Sequence, residues 1–360
     1  MRLRAASVNK WHWQLTFAGL LLVVVSGLAM TSAATNLHAN LAWRHIQWIG
    51  IGLVIHWLVA KTDYRRWADA SFFIYGVGLA ALLLVEVTGV MRLGATRWLS
   101  VFGLSIQPAE MAKLGTVLWL SRYLAGHPAP LPLRQLGLSL LIAGPPILLV
   151  LFQPDLGSAT IIGAIWLGMV IVSGVSSRFL ILAAAAGVLA SPLGWFVLKE
   201  YQRMRILVFL NPYVDPLGAG YTIIQSVIAI GSGGLFGRGW REGTQNQLNF
   251  LPEHHSDFIF SVIGEEWGFL GCLVVIFLFG WLLLSILQAA WHSSDPQGKL
   301  MAAGVFSWIA YQAVVNIGMV MGILPVVGVP LPFVSYGGSS MITLWIALGL
   351  VQSIWRSASE

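Results

Sequence analysis

Charge is what this sequence has least of: 9% of its 360 residues are Asp, Glu, Lys or Arg, while 57% are hydrophobic. Soluble globular domains carry about a quarter charged residues, so the composition excludes that class and describes an integral membrane protein. Cysteine is nearly missing too. Cys272 stands alone in an apolar run, which excludes an internal disulfide and leaves no thiolate set for a metal. There is no Gly-Lys-Ser/Thr phosphate loop and no His-Glu-x-x-His zinc motif. The formal charge of +6 is not gathered into a basic patch interleaved with aromatics, which excludes nucleic acid as a partner. No linker or shift in composition marks a second domain, so residues 1–360 read as a single polytopic membrane domain.

What is abundant is apolar runs. About ten segments, near 13–31, 45–60, 71–91, 108–125, 134–152, 156–173, 178–198, 258–290, 300–324 and 335–355, each approach the ~20 residues that span a bilayer. The basic N-terminus MRLRAASVNK precedes an apolar run without a small-residue cleavage site, which reads as a retained first helix. Lys and Arg collect in the N-terminus, KTDYRRW (61–67), SRYLAGHPAPLPLR (121–134), SSR (176–178) and the C-terminal tail, and are missing from 31–43, 153–155 and 325–334. Positive-inside counting therefore expects both termini in the cytoplasm. The expected fold class is all-α, with about ten transmembrane helices and one large extracytoplasmic loop, 199–257, between the seventh and eighth. The 17 Trp residues suit interfacial belts and lipid-facing surface.

On this topology the unusual polar motifs share one level, toward the outer face: RHIQWIG (44–50), ATRWLSVFGLSIQPAEMAK (95–113), QPDLGSA (153–159), LPEHHSDF (251–258) and LPFVSYGGSS (331–340). Non-helical backbone at membrane depth must line a cavity or be buried in protein, and these motifs favour an outer polar cavity. Glu110 and Lys113, spaced i, i+3, can pair and so be buried; they either staple the bundle or serve the cavity. The glycine-rich IAIGSGGLFGRGWREGTQ (228–245) reads as a flexible external loop, or as one whose N–H groups, with Arg238 or Arg241, approach an anion.

In LPEHHSDFIFSVIGEEWGFLG (251–271), helical periodicity counted from Asp257 places Glu253, Asp257, Ser261, Gly264, Glu265 and Gly268 on one small, polar face. His254 and His255 are adjacent, diverge by about 100° on a helix, and are expected at the water interface. Glu265 and Glu266 lie deeper, where structural pairing competes with function. Asp257 best fits a chemical role, because partial desolvation just inside the apolar run raises a carboxylate's pKa and strengthens it as a base.

RWLSVFGLSIQPAEMAK (97–113), FQPDLGSA (152–159), RILVFLNPYVDPLGAGYTIIQSVIAIGSGGLFGRG (205–239), FLPEHHSDFIFSVIGEEWGFLG (250–271) and GILPVVGVPLPFVSYGGSS (322–340) occur in one order. Together they resemble the SEDS (shape, elongation, division and sporulation) family, nearest its rod-elongation branch, from near residue 44 to the C-terminus. The resemblance implies a membrane glycosyltransferase that polymerises lipid II into β-1,4 glycan strands at the outer face of the bacterial cytoplasmic membrane. It places the essential aspartate at Asp257 in HSDFIF. Substrate-binding candidates on the matching motifs are Arg44, Arg97, Gln107, Glu110, Lys113, Asp155, Arg203, Gln225, Ser226 and Glu253. Ala109 stands where the family often has serine. The resemblance also implies a class B penicillin-binding protein as partner, polyprenyl chain and membrane lipids against the bundle, no organic cofactor and a divalent cation (Mg or Mn) whose ligands the sequence does not place. A lipid II flippase and a non-catalytic scaffold are the competing readings. A flippase predicts polar residues at both faces or at the midplane.

Overall fold

A computed structural model describes residues 11–34, 39–92, 95–101, 104–182, 185–186, 189, 196 and 200–358. Helices α1 (Trp13–Ala33), α2 (Ala39–Lys61), α3 (Tyr64–Asp69) and α4 (Ser71–Thr88) lead into three strands, β1 (Val90–Arg92), β2 (Ala95–Val101) and β3 (Leu104–Ile106). Next come α5 (Pro108–Ala125), α6 (Leu133–Phe152), α7 (Leu156–Val172), α8 (Glu200–Leu210), α9 (Tyr221–Ser232), α10 (Thr244–Gln247), α11 (Ile259–His292), α12 (Pro296–Val320) and α13 (Gly338–Ala358). Six of these, α1, α4, α6, α11, α12 and α13, are long and apolar enough to cross a membrane, and α7 and α9 are shorter apolar helices. The expected span at 178–198 lies almost wholly outside the described residues; residues 177–182 are helical.

The all-α expectation needs one correction. Between α4 and α5 the chain forms a small antiparallel sheet in the order β1-β2-β3, with Val90 opposite Trp98 and Leu99 opposite Ile106. Backbone outside a helix must find its hydrogen bonds within the protein at this depth, and the β-branched and aromatic residues of ATRWLSV suit a ladder. The sheet carries Arg97 on β2 and delivers Gln107 to the N-cap of α5, where Pro108 takes the first turn without wasting a donor.

Inside α6, Pro146 has no N–H to give the carbonyl of Ile142. The Tyr75 hydroxyl donates to that carbonyl at 2.6 Å instead, so α4 repairs the ladder of α6. Helix α4 also lies close along α5, where a Cβ on Gly115 would stand 3.0 Å from the Tyr75 backbone. Gly115 thus lets the two backbones approach, as small residues do between membrane helices.

Helix α11 would measure about 51 Å as one rod, against about 30 Å of hydrocarbon. It breaks at Gly268, with φ 67° and ψ −161°. An unbroken helix would bond the N–H groups of Phe269 and Leu270 to the carbonyls of Glu265 and Glu266. Here Phe269 and Leu270 donate to Gly234 and Leu235 at 2.8 and 3.2 Å, while Glu265 and Glu266 accept from Arg238 and Gly239 at 3.0 and 3.1 Å. Two lost helical bonds become four bonds to the glycine-rich loop. That loop is therefore a clamp for the break, in place of the flexible or anion-approaching segment expected, and the long loop 199–257 carries helices α8, α9 and α10.

Gly268→Ala is expected to lose about 1–3 kcal/mol from backbone conformation alone, and more because its Cβ would stand 2.7 Å from the Leu235 carbonyl oxygen. Gly280→Ala in the same helix meets nothing within 4 Å and should gain about 0.5–1 kcal/mol. Thermal unfolding of the two variants in one detergent gives the contrast; equal melting temperatures would refute it.

Candidate active site

Asp257 sits in a turn. Residues 251–258 are not helical: Glu253 has φ 51°, and its carbonyl accepts from both Ser256 N (3.1 Å) and Phe258 N (3.4 Å) before α11 starts at Ile259. The helical face counted from Asp257 with Glu253 above it is therefore replaced by a folded turn. A left-handed residue just after Pro252 stops helical continuation there. His254 is buried, against the expected interface position, with its ring nitrogens 2.8 Å from the Leu251 carbonyl and 3.0 Å from that of Ala33 at the end of α1. His255 is half-buried and 3.8 Å from Glu253, and burial holds its pKa below the usual value.

The turn is held from across the bundle. Asn316 on α12 donates from Nδ2 to the Asp257 carbonyl at 2.8 Å and to Val329 at 2.6 Å. Ser335 Oγ donates to the Ser256 carbonyl at 2.5 Å, and Tyr336 N to His255 at 3.0 Å. The carboxylate of Asp257 faces Gly328, which has φ 71° and whose Cβ would stand 3.5 Å from Oδ2. Asp257 keeps partial exposure while lying deep within the protein. Burial first, then the charges of Glu253 and Asp155, push its pKa up to about 7 against the pull of Arg97 and Arg205.

Asp155 is the buried N-cap of α7, accepting from Ser158 N at 3.0 Å and Ser158 Oγ at 2.9 Å. Gln107 Nε2 reaches its Oδ2 at 3.3 Å, and Gln107 N donates to Ser339 Oγ at 3.1 Å. Arg97 donates to the Gln153 carbonyl at 3.2 Å and to that of Pro154. A cavity of about 170 Å³ opens beside Gln153, between Leu82, Glu86 and Phe152. One turn into α5, Lys113 Nζ lies 2.6 Å from Glu110 Oε1, both side chains at most 2% exposed. Thr343 on α13 donates to Glu110 Oε2 at 3.2 Å, and the ammonium stands 4.9 Å from the Trp308 ring centroid.

A family model described as cell cycle protein, FtsW/RodA/SpoVE, matches residues 7–360. The chain belongs to the FtsW/RodA/SpoVE family. Among relatives, it is 42% identical to the peptidoglycan glycosyltransferase MrdB of Escherichia coli K12, across 93% of this chain and 90% of that one. It is 33% identical to the peptidoglycan glycosyltransferase RodA of Treponema pallidum, across 98% and 99%. A solved peptidoglycan synthase complex, described as coordinating polymerization and crosslinking, contains a chain 35% identical with a TM-score of 0.85, covering 98% of this chain and 99% of that one. RodA of Thermus thermophilus superposes with a TM-score of 0.74 at 30% identity over 97% and 98%.

In this member of the FtsW/RodA/SpoVE family, not every candidate joins the Asp257 group. Arg44 is exposed on α2, and Gln225 is half-buried on α9. Ser226 is fully buried and bonded to Ser261 Oγ (2.8 Å) and the Val320 carbonyl (2.6 Å), so it ties α9 to α11 and α12 in place of the substrate contact expected. Arg203 donates to the Phe196 carbonyl at 3.0 Å. Its neighbour on α8, Arg205, is the one whose charge reaches Asp257, because residues two apart lie on nearly opposite sides of a helix. Arg205 and Asn316 escaped the sequence reading, although an Asn within an apolar run is itself a signal. Glu265 accepts from Gln245 N (2.9 Å) and Asn246 N (3.2 Å), and Glu266 from Ser32 and Asn246, so both brace the loop 199–257. No three His, Cys, Asp or Glu side chains among the described residues converge to hold a metal ion. Glu253 and Asp155 act on the charge of Asp257 without forming a cage with it.

Proposed function

We propose that this chain is a peptidoglycan glycosyltransferase that polymerises lipid II at the outer face of a bacterial cytoplasmic membrane, with Asp257 as its general base. The carrying observation is Asp257 itself: its backbone carbonyl is held by Asn316 and the pKa of its carboxyl is pushed up to about 7, so that a large share is ionised at neutral pH while its basicity stays high. The names of the relatives from E. coli and T. pallidum support the activity.

In the proposed reaction Asp257 takes the proton from the GlcNAc 4-hydroxyl of one substrate as that oxygen attacks the MurNAc anomeric carbon of another. The bond to polyprenyl pyrophosphate breaks with inversion, turning an α-linked donor into a β-1,4 product, so no covalent sugar intermediate is needed. Arg205 and Arg97, whose charges reach Asp257, supply positive charge that would stabilise the leaving pyrophosphate. A divalent cation would arrive with the pyrophosphate, since among the described residues no three His, Cys, Asp or Glu side chains converge to hold one.

We further propose ten spans with both termini cytoplasmic, as the Lys/Arg distribution favours, and a class B penicillin-binding protein as partner. The related chain within a complex coordinating polymerization and crosslinking supports that partnership. Purified lipid II and the detergent-solubilised protein with its partner test the reading: glycan strands should form where there is no bilayer to flip across. Their absence from a folded, partner-bound preparation would sink it in favour of a transporter or scaffold.

The pH dependence has a definite sign. A base with a pKa of about 7 makes kcat/KM rise through that pH and level off above it. Glu253 raises the value, so Glu253→Gln should move the inflection to lower pH. Initial rates from pH 5.5 to 8.5, a window spanning about 1.5 units either side of the expected inflection, read both; an inflection unmoved by the substitution would contradict this assignment.

A further inference from the structure

A slot of about 350 Å³ lies between the start of α1 and the end of α2, walled by Trp11, Trp13, Leu20, Leu53, His56 and Trp57. It is at the far end of the bundle from Asp257: α1 begins beside the slot, and its last turn, about 30 Å away, meets His254 through Ala33.

His56 makes the slot more than an apolar groove. It is 2% exposed and lines the cavity, yet neither ring nitrogen has a hydrogen-bond partner among the described residues. The Trp345 backbone is close by but outside hydrogen-bonding geometry. Buried polar atoms in native proteins are almost always paired, so this imidazole is waiting for a group. The slot's hydroxyl, on Thr16, is already taken by Trp11 Nε1 at 3.0 Å.

The mouth is marked by charge. Lys61, one turn beyond Trp57, is exposed, places its ammonium 3.5 Å from the Trp57 ring centroid, and has no carboxylate in ion-pair range among the described residues. Arg66 on α3 is exposed at the same end. Trp13 and Trp57 are 48% and 49% exposed, as suits rings at a membrane interface.

Lys61 and His56 are five residues apart, about 7.5 Å along the helix, an offset comparable to that between the phosphate and the acyl ester carbonyls of a phospholipid. Leu53 and Leu20 continue the wall toward the hydrocarbon. We propose that this slot binds one anionic glycerophospholipid from the leaflet on the Lys61 side. The phosphate rests on Lys61, an ester carbonyl accepts from the His56 N–H, and one acyl chain runs along Trp13, Leu53 and Leu20. The site is independent of the polymerising reaction and of which way the chain crosses the membrane.

The test is a photo-cross-linking residue at Leu53 in the full chain, in nanodiscs of mixed phosphatidylglycerol and phosphatidylethanolamine. Phe72, 70% exposed, is the lipid-facing control position. Adducts at residue 53 should be enriched in phosphatidylglycerol over those at 72. His56→Phe should lower that adduct about fivefold, the worth of one net hydrogen bond. His56→Gln, which keeps a donor, should retain it, and Lys61→Gln should abolish the preference for phosphatidylglycerol. Melting temperatures near that of the parent show that the variants are folded. Equal lipid composition at 53 and 72 overturns the proposal, as does a yield that Phe and Gln at 56 change alike. So does an adduct to residues 1–10, which would make the slot a seat for the chain's own N-terminus.

Discussion

Asp257→Asn should leave a folded protein that makes no glycan from purified lipid II. The amide keeps the shape of the carboxyl and leaves the backbone carbonyl on Asn316, so the turn that carries it is retained. What it removes is the carboxylate whose basicity suits the proton transfer. General base catalysis contributes about 10²–10⁴-fold, so polymerisation over minutes should fall below detection. Stability provides the control, and its sign follows from linkage. The folded pKa is raised from 3.8 to about 7, so the stability this group contributes is present below the unfolded value and lost as pH rises through about 7. Asn carries no such dependence. The variant should therefore gain thermal stability relative to the parent as pH is taken from 6 to 8, across the cited value of about 7. A variant that both polymerises lipid II at the parent's rate and shows no such change would remove Asp257 from the mechanism.

Lys113→Met carries the largest expected loss of stability. The ammonium and Glu110 are both essentially inaccessible, 2.6 Å apart, with Thr343 completing the carboxylate. Removing the cation alone strands a buried charge, which costs about 3–5 kcal/mol. Lys113→Met with Glu110→Gln should recover most of that, because a neutral amide can still accept from Thr343. Thermal unfolding of the two singles and the double closes the cycle. Lipid II polymerisation by the double then separates two roles: restored activity means that the pair only fastens α5 to α12 and α13, whereas a stable, inactive double means that its charges face substrate. No recovery of stability in the double would refute the buried-pair account.

Much of this was legible from residues because the bilayer simplifies the problem. Apolar length alone located α5 at 108–125 and α6 within a residue of its ends. Convergence of QPAE, QPD and HSD was also readable, and Gln107 does meet Asp155 at 3.3 Å. Part of what sequence reading missed has one cause, irregular backbone in short pieces. Strands of three residues carry no apolar run to count, so the sheet that presents Arg97 was invisible. Periodicity assumed a helix through Glu253, whereas its positive φ folds the segment into a turn and buries His254. That the charge of Arg205 reaches Asp257 is a matter of helix face, and a face cannot be assigned before knowing what packs against it.

The break at Gly268 joins two regions into one cooperative unit. The N–H groups of Arg238, Gly239, Phe269 and Leu270 each depend on a carbonyl across the same seam, and hydrocarbon offers no substitute partner. Opening one bond exposes the others. In amide exchange these four protons should consequently share a single opening free energy, with the glycine loop coming away from residues 259–267 and from residues 269–292 in the same event.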